Sequence, residues 1–163
     1  MMGIKTPADE RLVLLIEECA EVVKAITGLR MTDGQIPEDF DSEARDVLYA
    51  VQLLQASADI PHMSRGEIER QENMLLVHDD EQNLLCFLCA EVIHIGTKTL
   101  RHGRSSFHPG LPGLGTNAAQ LGMHCVRLVA GLERFIDTTE RMNDVHKRKA
   151  QYLHHEHFWP TDG

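Results

Sequence analysis

The sequence predicts an all-α fold, a tandem duplication of one three-helix unit, with no sheet. Three observations predict it. Apolar residues recur at helical spacing in long runs, LVLLIEECAEVVKAIT (12–27), DVLYAVQLL (46–54) and LLCFLCAEVIHIGTKTL (84–100). Hydrophobic residues make up 42% of the chain but aromatics only 5%, so the core must rest on aliphatic side chains, which suits helix packing. One apolar helix also occurs twice.

The elements follow in order. Thr6-Pro7-Ala8-Asp9 places a cap before a proline, with an acid three residues on. The first helix runs from there to about Arg30. Residues 31–40 contain Asp33-Gly34 and Pro37 and form a loop. A second helix spans about Asp41 to Ser57 and stops at Asp59-Ile60-Pro61. Ser64 with Glu67 is a capping box for a third helix, to about Val77. Asp79-Asp80 then break the chain and cap a fourth, from about Glu81 to Arg101. HGRSSFHPGLPGLGT is a long loop rich in Gly and Pro. Asn117 with Gln120 caps a fifth helix to about Arg134, and Asp137 with Glu140 a sixth to about His157.

The repeat is visible when residues 14–27 are set over 84–97. Leu14/Leu84, Leu15/Leu85, Cys19/Cys89, Ala20/Ala90, Glu21/Glu91, Val22/Val92 and Thr27/Thr97 are identical. The chain therefore divides into 1–78 and 79–163, two copies joined into one domain. The second copy has lost acids: Glu17 and Glu18 correspond to Phe87 and Leu88, and only Glu91 survives. In the next helix Glu43 and Asp46 fall near Gln120 and Met123.

The acids of the first copy carry the chemistry. At 100° per residue, Glu17, Glu18 and Glu21 share one quadrant of the first helix, opposite its apolar side. Glu43 and Asp46 are one turn apart on the second. If the two helices pack antiparallel, five carboxylates can face one spot. Five anions repel unless a cation sits among them, and a hard divalent ion such as Mg²⁺ takes oxygen ligands.

A net charge of −9 argues against sequence-independent nucleic-acid binding, which needs a basic surface. It leaves phosphorylated small molecules open, because a bound metal reverses the local sign. No signal peptide and no membrane-spanning run is expected, so a soluble cytoplasmic protein is the default. Cys86 and Cys89 form a CxxC in a helical apolar run, where buried reduced thiols are expected along with Cys19 and Cys125.

Glu17-Glu18-x-x-Glu21 followed by Glu43-x-x-Asp46 resembles the motif of the MazG-like all-α nucleoside triphosphate pyrophosphohydrolases. The second half is similar to phage-type members in its LRHG segment, HPG…TN loop and KRKAQYLHHEHF stretch, but lacks the acidic motif. The resemblance implies a four-helix-bundle active site made by two copies of the unit, here an internal pseudo-dimer, monomeric or further paired as a homodimer. It implies Mg²⁺, or Mn²⁺ in its place, held by Glu18, Glu21, Glu43 and Asp46, with Glu17 as a further ligand or as the group orienting the water. The implied reaction splits a nucleoside triphosphate into monophosphate and pyrophosphate. Lys24, Arg30, Arg45, His94, Lys98 and Arg101 are the candidate phosphate contacts.

Rival readings rest on single features. Glu91-Val-Ile-His94 has the ExxH spacing of di-iron bundles, which need two such pairs. His154, His155 and His157 suggest zinc, but adjacent helical residues diverge, and cationic side chains also suit a helix C-terminus. The alternative of another class is a non-catalytic nucleotide-binding or regulatory bundle that retains a metal site.

Overall fold

Five α-helices and one 3₁₀ turn appear in the computed structural model, which describes residues 6–31, 40–77 and 80–134. They are α1 (Pro7–Met31), α2 (Phe40–Ala56), α3 (Arg65–Leu75), α4 (Glu81–His102) and α5 (Asn117–Leu132). No strand occurs among the described residues, only a bridge between Phe107 and Thr116. The sixth helix expected at 138–157 lies outside the described residues.

Local chemistry sets most of the ends. The Thr6 hydroxyl accepts from the Asp9 amide at 3.1 Å, and Ser64 with Glu67 closes the expected capping box. Asp80 accepts from the Asn83 amide. The cap of α5 differs from expectation. Thr116 takes the role, accepting from the Ala119 amide. Asn117 is fully buried and turns its side-chain amide to the Gly103 carbonyl at 2.8 Å. That carbonyl belongs to the residue ending α4, so Asn117 ties the two ends of the Gly- and Pro-rich loop together. Gly103 there has φ +91°, the left-handed region glycine tolerates.

The order of packing follows the apolar faces. α1 lies against both α2 and α4, α4 against α5, and α3 against α5, while α2 and α5 touch only lightly. Thus α3, from the first half of the chain, packs on a helix from the second. α1 and α4 run in opposite directions. The Cys19 and Cys89 side chains are neighbours at the crossing, Ile16 and Leu12 face Gly96, and Arg104 just beyond α4 donates to the Ala8 carbonyl at 3.0 Å. A methyl group on Gly96 would stand 3.0 Å from Ile16, so the helices approach closely there. Leu12, Leu15, Cys19, Val22 and Ile26 of α1 and Leu85, Cys89, Val92 and Ile95 of α4 fill this seam.

α4 is long and apolar enough, over Gln82–His102, to cross a membrane. The sequence was expected to hold no such run. Here its apolar stripe is used against α1 and α5, as in the core helix of a bundle. The four cysteines form no disulfide, and Cys19, Cys89 and Cys125 are buried. Contact with Cys89 and burial raise the Cys19 thiol well above its usual range, and burial pushes Cys125 up to about 12. These thiols are packing groups.

Gly122 of α5 supports Pro61, whose rigid ring would lie 2.8 Å from an added Cβ. Gly122→Ala should cost about 1–3 kcal/mol of stability through overpacking, despite alanine's better helix propensity. Urea unfolding of the two proteins checks this.

Candidate metal centre

Three of the five acids converge. Glu18, Glu43 and Asp46 each offer a carboxylate oxygen, and these atoms all lie within 4.8 Å of one another. Glu18 and Asp46 are buried, 6% and 3% exposed, and Glu43 is half-buried. The local sequence explains the placement. Asp46 is followed by Val47, Leu48, Tyr49, Ala50 and Val51, all buried, so α2 has apolar contacts on most of its circumference. The acid is therefore held in the seam with α1 by the packing of its neighbours. On α1, Glu18 precedes the fully buried Cys19 and is carried inward with it.

Glu17 and Glu21 stay outside the trio. Both are exposed, and Glu21 pairs with Lys24 at 3.3 Å. Glu21 is one turn along from Glu18, on the same line of α1, so its carboxylate borders the seam. Among the candidate phosphate contacts, the Lys24 side chain is 78% exposed and Arg45 holds Asp41 at 2.8 Å. Arg30 lies in the last turn of α1, with its side chain outside the described part. His94 and Arg101 are exposed and Lys98 is half-buried, all on α4. An open groove of about 250 Å³ between α3 and α5 is lined by Met63, Arg70, Gly122 and Met123 among others. None of the three carboxylates lines it.

The donor set fits a hard divalent cation. It is all oxygen, anionic and preformed by two packed helices. Glu18, Glu43 and Asp46 would hold such an ion, which would neutralise their charges when bound.

A second polar seam was missed by sequence reasoning. Burial along α5 resembles burial along much of α2 when Glu43 is set over His124, although Asp46 is buried where Arg127 is half-buried. Ala44/Cys125, Val47/Leu128, Leu48/Val129, Tyr49/Ala130 and Val51/Leu132 are then all buried pairs. A duplicated unit in this register would set Arg127 over Asp46, one helical turn from the expected pairing of these acids with Gln120 and Met123. A one-turn slip preserves apolar periodicity, and the long loop before α5 gives no fixed spacing, so sequence alone could not choose. The available signal was the shared spacing, Glu43-x-x-Asp46 and His124-x-x-Arg127. His124 Nε2 lies 3.7 Å from Glu91 Oε2. Burial holds the His124 pKa below the usual histidine value, Glu91 acts against this, and Arg127 and His94 add to it.

Comparison with family models, with curated proteins and with solved structures gives no match for this chain.

Two outcomes follow. Mg²⁺ or Mn²⁺ should raise the melting temperature progressively with concentration, by an amount equivalent to about 2.7 kcal/mol at a hundred times the dissociation constant. Asp46→Asn should abolish that rise and melt no lower than wild type in chelator, since it removes one charge from a crowded set. Differential scanning calorimetry with and without metal measures both. His124 gives a pH effect. Its folded pKa is depressed, so the unfolded chain binds the extra proton. The stability this contributes is present above the unfolded value of about 6.5 and lost as pH falls below it. Wild type should therefore lose more stability than His124→Gln between pH 7.5 and 5.5, read from parallel urea melts.

Proposed function

We propose that the chain is a Mg²⁺-dependent nucleoside triphosphate pyrophosphohydrolase, built as an internal pseudo-dimer of two helical units around a four-helix core. The convergence of Glu18, Glu43 and Asp46 across the α1–α2 seam carries the reading. An acidic face on a solvated helix has no reason to bury two carboxylates beside a third.

The duplicated architecture is supported by matched environments. Leu15 and Leu85, Cys19 and Cys89, and Val22 and Val92 are equally buried. The Thr27 and Thr97 hydroxyls each donate to the carbonyl four residues back, at 2.8 Å. Cys19 meets Cys89, its own counterpart. Equivalent residues of two antiparallel helices meet beside a local two-fold axis, so α1 and α4 crossing there fits a pseudo-dimer.

Within this reading Glu18, Glu43 and Asp46 would hold the cation, with Glu21 swinging in from its pair with Lys24. When bound, the cation would neutralise charge on the phosphoryl oxygens and bind the attacking water. Glu17, exposed beside Glu18, is the group proposed to orient that water and take its proton. Lys24 and Arg45 border the same helices and would meet phosphate oxygens. His94, Lys98 and Arg101 lie on α4 and would act from the other wall. A nucleotide-binding bundle without turnover is the second reading. The observation favouring it is that Glu17 and Glu21 lie outside the converged set.

Phosphate release from a panel of nucleoside triphosphates with Mg²⁺, with and without added pyrophosphatase, tests the proposal. Release should require the added enzyme and fall at least about a hundredfold in Glu18→Gln, since losing a ligand should cost no less than the roughly 10–100-fold of losing a group that only orients one. Direct release of orthophosphate, or activity unchanged by Glu18→Gln, would refute it.

A further inference from the structure

Charge is divided unevenly along the chain. Residues 1–91 hold nineteen Asp and Glu against seven Lys and Arg. From Val92 to Leu132 there is no Asp or Glu, while Lys98, Arg101, Arg104 and Arg127 fall there with four histidines. The fold gathers part of this stretch at one end of the bundle, around the last turns of α4. His94, Lys98 and Arg101 lie within about 60° of one another at 100° per residue. His94 and Arg101 are exposed and Lys98 is half-buried, and the exposed His102 and His108 carry the series into the loop. Arg104 brings the start of α1 to this end through the Ala8 carbonyl. The acids that come with it are withdrawn: Glu10 is buried, Asp59 is held by Arg11 at 2.6 Å, and Asp9 is half-buried.

The loop at this end is tied shut at its base and apolar at its tip. The Asn117 amide donates to the Ser106 carbonyl at 2.8 Å, and the Ala118 amide to the Arg104 carbonyl at 3.0 Å. The Gln120 side chain donates to the Gly115 carbonyl at 3.0 Å. Inside the loop the Leu114 amide donates to the Leu111 carbonyl at 3.1 Å. Beyond this closed base, residues 107–114 are all exposed. Phe107, Leu111 and Leu114 are 58%, 55% and 51% exposed. Single exposed apolar side chains are ordinary, but three on one short projection mark a contact surface. Met74, Leu76 and Val77 at the end of α3 are exposed too, but Glu72, Asp79 and Asp80 flank them in the sequence. The two apolar patches therefore differ in the sign of the charge around them.

We propose that this end of the molecule docks on a bilayer surface rich in anionic lipid. Phe107, Leu111 and Leu114 enter among the headgroups, while Lys98 and Arg101 meet lipid phosphates. Shape favours a bilayer: a projecting tip offers no groove for a peptide, and a soft apolar layer accepts it. Charge favours anionic lipid, because basic side chains beside such a surface add to binding and no acid in this stretch opposes them. Nucleic acid has phosphates but no use for Leu111 and Leu114. The acidic part of the chain is repelled by the same lipid and turns to water, so attachment is oriented. It is also reversible, since three side chains and a few charges fall far short of a spanning helix. In this role Lys98 and Arg101 serve the lipid, and the nucleotide reading above keeps Lys24 and Arg45.

The test floats the full chain with vesicles of phosphatidylcholine alone, and of phosphatidylcholine and phosphatidylglycerol in equal parts. Expected is binding to the mixed vesicles only, weakened by added salt. Leu111→Ser with Leu114→Ser should weaken it at least about tenfold, through the loss of two inserted side chains. Lys98→Gln with Arg101→Gln should also cost at least about tenfold, each charge being worth roughly fivefold at such a surface. Both variants should melt as wild type does, which separates lost docking from lost folding. Leu76→Ser with Val77→Ser removes exposed apolar groups beside acids and should bind vesicles as wild type does. So should Glu18→Gln, which keeps this surface distinct from the carboxylate trio. Equal binding to both vesicles, or binding to neither, would overturn the proposal. Vesicle binding intact in the charge variant would return Lys98 and Arg101 to the nucleotide and overturn it as well. Single-stranded RNA bound in place of vesicles would reassign the surface. A dimer in sedimentation that Leu111→Ser with Leu114→Ser dissolves, with no vesicle binding, would assign the tip to a second copy instead.

Discussion

Two buried carboxylates and a half-buried third, held together in one helix seam, are the constraint on which the rest depends. Placing ionised groups there is unfavourable twice over. Each loses hydration, and each pair repels by roughly 3 kcal/mol at 4.8 Å for an effective dielectric of about 20. A domain of this size has little stability to spare against such terms. The apolar residues of α2 and of the α1–α4 crossing hold the acids in place against that repulsion. A cation is the simple means of removing it.

The asymmetry of the molecule follows from the same constraint. Where Glu18 is buried in one half, Leu88 is buried in the other. An apolar side chain at that depth needs no polar partner. Glu91 survives but meets an imidazole rather than further carboxylates. The α1–α2 and α4–α5 seams therefore differ in charge. α3 crossing to pack on α5 ties the halves together, so neither half is a free-standing unit in packing terms.

Much of this was legible in the sequence. The α1 and α4 helices, the capping box at Ser64 and the repeated LL…CAEV pattern follow from periodicity and cap chemistry, which are local. The site was legible in part. Glu18, Glu43 and Asp46 converge as their spacing suggested, but spacing cannot say which of three acids in one quadrant turns inward. Glu18 does because Cys19 beside it anchors the crossing, a tertiary fact. Asn117 was misplaced as a cap because its burial against Gly103 depends on the fold of a distant loop end. The contact of His124 with Glu91 was missed because the packing of α5 on α4 is not set by sequence distance across a loop.

The most direct test is anomalous diffraction from crystals soaked in Mn²⁺. The account predicts a peak bonded to Glu18, Glu43 and Asp46, with Glu21 drawn toward it. A crystal soaked at saturating Mn²⁺ with no peak in that seam, or with the ion held elsewhere, would contradict the account.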